Sequence, residues 1–247
     1  MSNQKDPQLI VALDVDTFDE AQTLIELLSE QINIFKIGMQ LFTACGPVIV
    51  RHVLSQGKKV FLDLKFHDIP NTVANAVCSA IKLSLPIYKV LNNKQWPDDG
   101  LHLLTLHTVG GEEMLKTSLD KGRAFADKIG VKPPLFLGVT VLTSESKSDN
   151  ISDIVLQRAL LAKTAGLDGI VASSQESSMI RKELGEDFLI ITPGIRPEGQ
   201  DAGDQKRVST PKNAIINGSD FLVVGRPIVK AKDPVKAADA LLQEIKV

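Results

Sequence analysis

The chain has 247 residues, of which 43% are hydrophobic and 23% charged, and its formal net charge is −2 at pH 7. A chain of this composition can bury a large core, and its length is compatible with one large domain or two small ones. The near-neutral charge argues against nucleic acid or a membrane surface as the main partner.

The N-terminal residues and the cysteines predict where the protein works. Residues 1–7 are polar and lack the apolar stretch of a secretory signal, and no apolar run reaches membrane-spanning length. The two cysteines, Cys45 and Cys78, fall in segments with helical patterns and show neither disulfide-framework nor metal-ligand spacing. We therefore expect a soluble, cytoplasmic protein with reduced thiols and no metal site.

Short apolar runs alternate with amphipathic segments along the whole chain. Runs typical of buried parallel strands occur at residues 9–14, 34–38, 59–62, 103–107, 135–140, 169–173, 189–194 and 221–225. Helices are predicted after an N-cap at Thr17, over 40–55, 72–83, 111–129, 153–165, 176–184 and 212–217, and from Asp233-Pro234 onward. Eight strand–helix units without a composition break predict an α/β fold, a single (β/α)8 TIM barrel over residues 1–247, rather than an open sheet.

One connection is much longer than the others. Residues 84–100 join the third helix to the fourth strand and contain the only Tyr and the only Trp of the chain. Connections of this kind usually have a few residues, so this segment is predicted to be an insertion. Because it leads from a helix to a strand, it belongs at the bottom of the barrel, away from the active-site end.

Charged residues lie within the second predicted strand and after the third. Alternation along a strand places Phe61, Asp63 and Lys65 on one face, and Asp68 comes just past the strand end. Charges at a strand end are often merely solvent-exposed. In a barrel, however, the carboxyl ends of the strands form the active site, and Lys36 within an apolar strand needs a polar partner. We therefore predict an array of alternating, paired charges at the top of the barrel.

Two arginines follow the last two strands. Arg196 lies in a Pro-Gly-Ile-Arg-Pro sequence after the seventh strand, and Arg226 lies in Gly-Arg-Pro after the eighth. The loops after these strands often bind phosphate in TIM barrels, and a guanidinium can bind a phosphate dianion through two hydrogen bonds. We predict a phosphorylated ligand, with the long connection 195–211 as its closing loop.

Several separated motifs resemble, in order, those of the bacterial-type orotidine 5′-phosphate decarboxylase family, from Leu9 to the C-terminus. These motifs are Ala12-Leu-Asp14, Phe35-Lys36-Ile-Gly38, Asp63-Leu-Lys65-Phe-His-Asp68-Ile-Pro-Asn-Thr72, Val141-Leu-Thr-Ser144, Pro193-Gly-Ile-Arg-Pro197, Gly203-Asp-Gln-Lys-Arg207 and Val224-Gly-Arg-Pro227. The resemblance implies decarboxylation of orotidine 5′-monophosphate (OMP) to uridine 5′-monophosphate (UMP) in de novo pyrimidine biosynthesis. It also implies that the enzyme needs no metal or other cofactor.

The resemblance also implies a role for each matching residue. Lys36, Asp63, Lys65 and Asp68 would form the catalytic array, with Lys65 as proton donor to C6 of the pyrimidine and Asp63 beside the substrate carboxylate. The remaining implied substrate contacts are Asp14, Lys36 and Thr72 at the ribose, Thr143 and Ser144 at the pyrimidine, and Arg196, Gln205, Gly225 and Arg226 at the phosphate. Asp68 and Thr72 would come from the partner subunit of a homodimer with shared active sites.

Three other readings stay open at this point. A metal-dependent sugar-phosphate decarboxylase or aldolase would share the Asp-x-Lys strand end, but Lys36 stands where such enzymes generally need an acid. A Schiff-base aldolase would need an unprotonated Lys65, which neighbouring carboxylates disfavour. The third interpretation is an inactive barrel that only binds a nucleotide, and the presence of every catalytic residue of the family argues against it without deciding it.

Overall fold

The computed structural model describes residues 8–85, 97, 99–142, 150–197 and 207–246. Eight parallel strands in this part of the chain follow one another in sequence order and close into a barrel. Ile10 of the first strand aligns with Ile34 of the second and with Val223 of the eighth, which closes the sheet. With helices between the strands, this is a (β/α)8 TIM barrel, so the predicted fold class is confirmed.

The secondary-structure elements are numbered in chain order. The strands are β1 (Gln8–Ala12), β2 (Ile34–Gly38), β3 (Lys59–Phe66), β4 (Leu101–His107), β5 (Leu135–Val139), β6 (Gly169–Val171), β7 (Leu189–Thr192) and β8 (Phe221–Val224). The helices are α1 (Phe18–Leu28), α2 (Met39–Cys45), α3 (Pro47–Ser55), α4 (Pro70–Ile81), α5 (Gly111–Ile129), α6 (Ile151–Thr164), α7 (Ser174–Leu184), α8 (Pro211–Ile216), α9 (Arg226–Val229) and α10 (Pro234–Ile245). Each predicted strand is present, although β3 ends at Phe66 rather than at residue 62.

The alternation of side chains along the strands divides the core into two layers. In β3, Phe61 points into the barrel, whereas Val60 and Leu62 pack outward against the helices. The residues that fill the barrel interior are Ile10, Ala12, Ile34, Phe61, Leu103, Leu137, Leu189, Ile191, Phe221 and Val223. This apolar filling makes the interior a packed core, so a ligand site has room only at an end of the barrel.

One predicted helix differs from the structure, and one observed helix was not predicted. The prediction of one helix over 40–55 is wrong, because two helices, α2 and α3, cover this region and are separated at Gly46. Gly46 has φ +62°, a conformation that favours glycine, and Pro47 begins α3 because proline needs no hydrogen-bond acceptor in a first turn. The short helix α9 was not predicted. The N-caps were predicted correctly: Thr17 accepts from Glu20 N, and Asp233 accepts from Lys236 N.

The C-terminal end of the segment 84–100 lies at the bottom of the barrel. Residues 86–96 and 98 fall outside the described part of the chain. Lys59 Nζ, at the start of β3, lies 2.7 Å from Asp99 Oδ2, and His102 Nδ1, near the start of β4, lies 3.3 Å from the same oxygen. Asp99 therefore neighbours the amino ends of the strands. That the chain is one domain with an insertion here stays a prediction.

Two expectations drawn from composition concern the thiols and the membrane. Cys45, at the end of α2, and Cys78, in α4, are free thiols. Within the ranges given above, no helix is long and apolar enough to cross a membrane.

Candidate active site

A pocket opens at the carboxyl ends of the strands. The residues that line it are Ala12, Asp14, Lys36, Phe61, Asp63, Lys65, Val139, Val141, Leu142, Val171, Ala172, Ser173, Pro193, Gly194, Arg196, Val223, Gly225 and Arg226. These residues differ in chemistry around the rim. The β1–β3 side carries acids and lysines, the β5–β6 side is mostly apolar, and the β7–β8 side carries two arginines. The pocket therefore has three chemically distinct walls.

The charged wall is a chain of four alternating groups. Lys36 Nζ donates to Asp14 Oδ1 at 3.1 Å and lies 3.6 Å from Asp63 Oδ2. Lys65 Nζ donates to the same Asp63 oxygen at 2.9 Å. Lys36 and Asp63 are 9% and 8% exposed, so they are charges that burial would disfavour without partners. The order Asp14–Lys36–Asp63–Lys65 gives each charge a neighbour of opposite sign.

Asp63 is the electrostatic centre of this wall. Burial by itself would raise the pKa of Asp63, because burial disfavours the carboxylate. The ammonium groups of Lys36 and Lys65, together with hydrogen bonds from Lys65 and Thr105, outweigh burial and hold this pKa below its usual value. Asp63 is therefore a carboxylate at neutral pH.

The end of β3 is irregular where it carries the charges. Leu62 aligns with Leu104 and Phe66 with Leu106, so three residues of β3 span the length of one residue on β4. Within this bulge Lys65 has φ +50°, a conformation uncommon for any residue other than glycine. Unusual backbone conformations of this kind cluster at active sites, where the surrounding structure stabilises them.

Thr105 holds the bulge from the side of β4, and sequence reasoning missed it. Its hydroxyl oxygen accepts from Lys65 N at 2.9 Å and donates to Asp63 Oδ1 at 3.1 Å. Thr105 is fully buried. The only signal in the sequence was a hydroxyl residue among the leucines at 103–106 of β4, beside Asp63 and Lys65 of β3.

Two glycines leave space for the charged groups. A Cβ atom on Gly38 would lie 2.9 Å from Lys36 Nζ, closer than such atoms pack. A Cβ atom on Gly225 would lie 3.3 Å from Asp14 Oδ2. A side chain at the end of β2 would displace the Lys36 ammonium, and one just after β8 would crowd the Asp14 carboxylate.

The arginine wall lies at the ends of β7 and β8. Arg196 is 8% exposed, and its Nη1 donates to Ile195 O at 2.8 Å. Arg226 begins α9 and is exposed, and both guanidinium groups belong to residues that line the pocket. Two guanidinium groups on one wall give the pocket a cationic side suited to a phosphate.

A buried ion pair that the sequence analysis did not identify supports the Arg196 loop. Arg207 and Glu176 form an ion pair in which both side chains are almost fully buried. Burial raises the pKa of Glu176, and the Arg207 guanidinium only partly offsets this effect. Glu176 lies in the first turn of α7, and Ser209, two residues after Arg207, accepts from Arg196 N at 2.9 Å. The pair therefore connects α7 to residues 207–209, which in turn hydrogen-bond the backbone of Arg196.

Other predicted site residues lie away from the pocket or outside the described residues. Asp68 and Thr72 are exposed and do not line the pocket, and Asp68 Oδ1 accepts from Ile69 N at 2.6 Å. Thr143, Ser144 and Gln205 lie outside the described residues, as do residues 198–206 of the predicted closing loop 195–211.

The next question is whether the residues around the pocket could bind a metal ion. Among the residues described, no group of three or more His, Cys, Asp or Glu could hold a metal ion. The two carboxylates closest to such a role, Asp14 and Asp63, both contact the Lys36 ammonium. The closed barrel and its charged pocket place the chain among (β/α)8-barrel enzymes.

Comparison with known proteins identifies the family within this class. The profile of the orotidine 5′-phosphate decarboxylase / HUMPS family matches residues 7–241. The orotidine 5′-phosphate decarboxylase of Syntrophotalea carbinolica is 43% identical over 246 residues, which cover 96% of this chain and 94% of that protein. The enzyme of that name from Coxiella burnetii is 41% identical over 249 residues, 98% of each chain.

Solved structures agree with the sequence comparison. The crystal structure of orotidine 5′-phosphate decarboxylase from Lactobacillus acidophilus is similar to this chain with a TM-score of 0.79 and 34% identity, and the similarity covers 98% of this chain and 100% of that one. The chain therefore belongs to the orotidine 5′-phosphate decarboxylase / HUMPS family.

Proposed function

We propose that this protein decarboxylates OMP to UMP in the cytoplasm, as a step of pyrimidine biosynthesis. The observation that carries the proposal is the division of the pocket into three walls. OMP has a carboxylate on its pyrimidine ring, a flat ring and a phosphate. These parts match the charged wall, the apolar wall of β5 and β6, and the arginine wall.

Lys65 supplies the chemistry in this proposal. Loss of CO₂ breaks the bond between C6 and the carboxylate and leaves the electron pair on C6, in an orbital of the ring plane that the π system cannot delocalise. A fixed ammonium can stabilise this charge and then donate a proton to C6. Lys65 Nζ is held 2.9 Å from Asp63 Oδ2, and it regains a proton from solvent after each turnover.

Asp63 acts on the substrate carboxylate. Its lowered pKa means that Asp63 is charged when OMP, itself an anion, binds beside it. The repulsion between the two carboxylates is relieved when CO₂ leaves, so the contact favours the transition state over bound OMP. Lys36 lies between Asp63 and Asp14 and forms an ion pair with each of them.

The proposed reaction needs no metal or other cofactor, because the Lys65 ammonium provides the positive charge that a metal ion would otherwise supply. The Lys36 ammonium also lies within 3.6 Å of the two carboxylates that a bound cation would require. This contact favours decarboxylation of OMP over the chemistry of a metal-dependent sugar-phosphate enzyme.

We also propose that the active unit is a homodimer in which Asp68 and Thr72 complete the site of the partner. Both are exposed in the single chain. Large apolar side chains are exposed beside the ends of three neighbouring strands: Met39 after β2, Ile69 after β3 and Val109 after β4, at 58%, 66% and 52%. An exposed apolar surface at the mouth of the barrel favours a two-fold contact there.

The proposed activity is tested by incubating the purified protein with OMP. We expect UMP to form in an amount equal to the OMP consumed, as resolved by chromatography. Tight binding of UMP without any conversion of OMP would indicate the nucleotide-binding barrel instead.

Arg226→Ala is expected to weaken UMP binding about 10- to 100-fold, because a charge-assisted hydrogen bond contributes roughly 1.5–3 kcal/mol. Uridine, which lacks the phosphate, should bind with unchanged affinity. Isothermal titration with both ligands measures the difference, and Lys230→Ala, which removes a nearby exposed cation, is the control. Equal losses for UMP and uridine would contradict the assignment of Arg226 to the phosphate.

A further inference from the structure

We propose that Thr105 is a positioning residue that sets the geometry of Asp63 and Lys65, an inference that rests on the proposed decarboxylase function. β4 provides none of the described lining residues of the pocket, so Thr105 reaches the site only through these two neighbours. Its side chain is fully buried beneath them.

One oxygen atom of Thr105 fixes both neighbours at once. A threonine hydroxyl has one donor hydrogen and two acceptor lone pairs. Here the oxygen accepts from the backbone N–H of Lys65 and donates to Oδ1 of Asp63. The other carboxylate oxygen, Oδ2, is the one that receives the Lys65 ammonium at 2.9 Å. Thr105, Asp63 and Lys65 therefore form a closed ring of contacts.

This ring explains how Lys65 keeps its unusual backbone. At φ +50° and in the bulge, the Lys65 N–H is removed from the regular pairing of β3 with β4, in which Leu62 and Phe66 align with Leu104 and Leu106. A buried N–H without a partner is costly, and the Thr105 hydroxyl provides the partner. Loss of this hydroxyl would leave the Lys65 N–H without its partner, so the backbone that positions the proposed proton donor could relax.

The hydroxyl also acts on the charge of Asp63. Burial raises the pKa of Asp63, the two lysines lower it, and the hydrogen bond from Thr105 lowers it further. Without that hydrogen bond the pKa of Asp63 moves up, so protonation of Asp63 begins at a higher pH as a solution is acidified.

The test compares variants that separate the hydrogen bonding of the Thr105 side chain from its volume. Thr105→Val keeps the volume but neither donates nor accepts, whereas Thr105→Ser keeps the hydroxyl. Thr108→Val is the matched control, because Thr108 is also a buried threonine whose hydroxyl donates, at 2.7 Å, to a backbone carbonyl, that of Val139. Rates with OMP are measured in brief assays from pH 3 to pH 9, and UMP affinity and thermal unfolding are measured for each variant.

We expect Thr105→Val to lower kcat about 10- to 100-fold with little change in UMP affinity, because the binding groups remain while the reacting groups lose alignment. The acidic limb of its pH–rate profile should move to higher pH. Thr105→Ser and Thr108→Val should keep most of the activity and the wild-type profile. If Thr105→Val does not fold, Thr105→Cys, a weaker hydrogen-bonding group of similar size, should show the same loss.

Two outcomes would overturn the inference. One is a Thr105→Val enzyme with wild-type kcat and pH profile, and the other is a Thr105→Ser enzyme as impaired as Thr105→Val. A wild-type protein that does not convert OMP would instead overturn the proposed function, and this is measured in the same series.

Discussion

Replacement of Lys65 by alanine is expected to lower the rate of OMP decarboxylation by about 10⁴-fold or more. General-acid catalysis contributes typically about 10²–10⁴-fold, and a fixed cation opposite a developing anion adds roughly 10²–10³-fold. Both contributions disappear with the ammonium. The affinity for UMP should change much less, because Arg196 and Arg226 stay in place.

The measurement is single-turnover conversion of OMP by the variant, together with calorimetric titration of UMP. Lys116→Ala is a suitable control, since Lys116 is a half-exposed lysine on α5 that pairs with Glu112. That control should retain wild-type turnover. A Lys65→Ala enzyme within about tenfold of the wild-type rate would remove Lys65 from the role of proton donor.

Mixing two inactive variants, Lys65→Ala and Asp68→Ala, is expected to restore activity. In a mixed dimer with shared sites, one site collects both lesions and the other has an intact Lys65 and an intact Asp68. Equal amounts of freely exchanging subunits form mixed dimers half of the time, so about a quarter of all sites should be active. Neither variant alone has an intact site, which makes the gain easy to detect.

The matched control is a mixture of Lys65→Ala with Lys36→Ala. Lys36 and Lys65 both contact Asp63 of their own chain, so every site in a mixed dimer of this pair lacks one of the lysines. Native mass spectrometry shows whether the subunits have exchanged. If exchange is complete and the first mixture stays inactive, Asp68 acts within its own chain.

The barrel could be predicted from sequence because parallel strands covered on both faces are apolar throughout. β2 and β8 show this pattern, and Lys36 is recognisable as the one charged residue in β2. Alternation also predicted that Phe61, Asp63 and Lys65 face the same side, and all three line the pocket. Local patterns were sufficient for these features because each depends on neighbours in the chain.

Features that depend on distant residues were missed. Thr105 contacts residues 40 and 42 positions away, and Arg207 contacts Glu176, 31 positions away. Neither contact leaves a periodic signal. The φ of Lys65 follows from the bulge between β3 and β4, which no local rule for a lysine predicts.

Asp68 shows a second limit of prediction from sequence. Its position after β3 predicted a place near the charged array, but in the single chain it is exposed and contacts its neighbour Ile69. Only the family resemblance assigned it to a second subunit. A sequence pattern describes one chain, so a residue that acts across an interface has no signature of its own in periodicity or burial.

The most direct test of the account is the rate of OMP loss with purified protein after exhaustive treatment with EDTA. If the Lys65 ammonium provides the positive charge at C6, the chelated protein should convert OMP to UMP at the rate of the untreated protein. Loss of activity on chelation that is restored by added Mg²⁺ would contradict the account and indicate a metal-dependent enzyme.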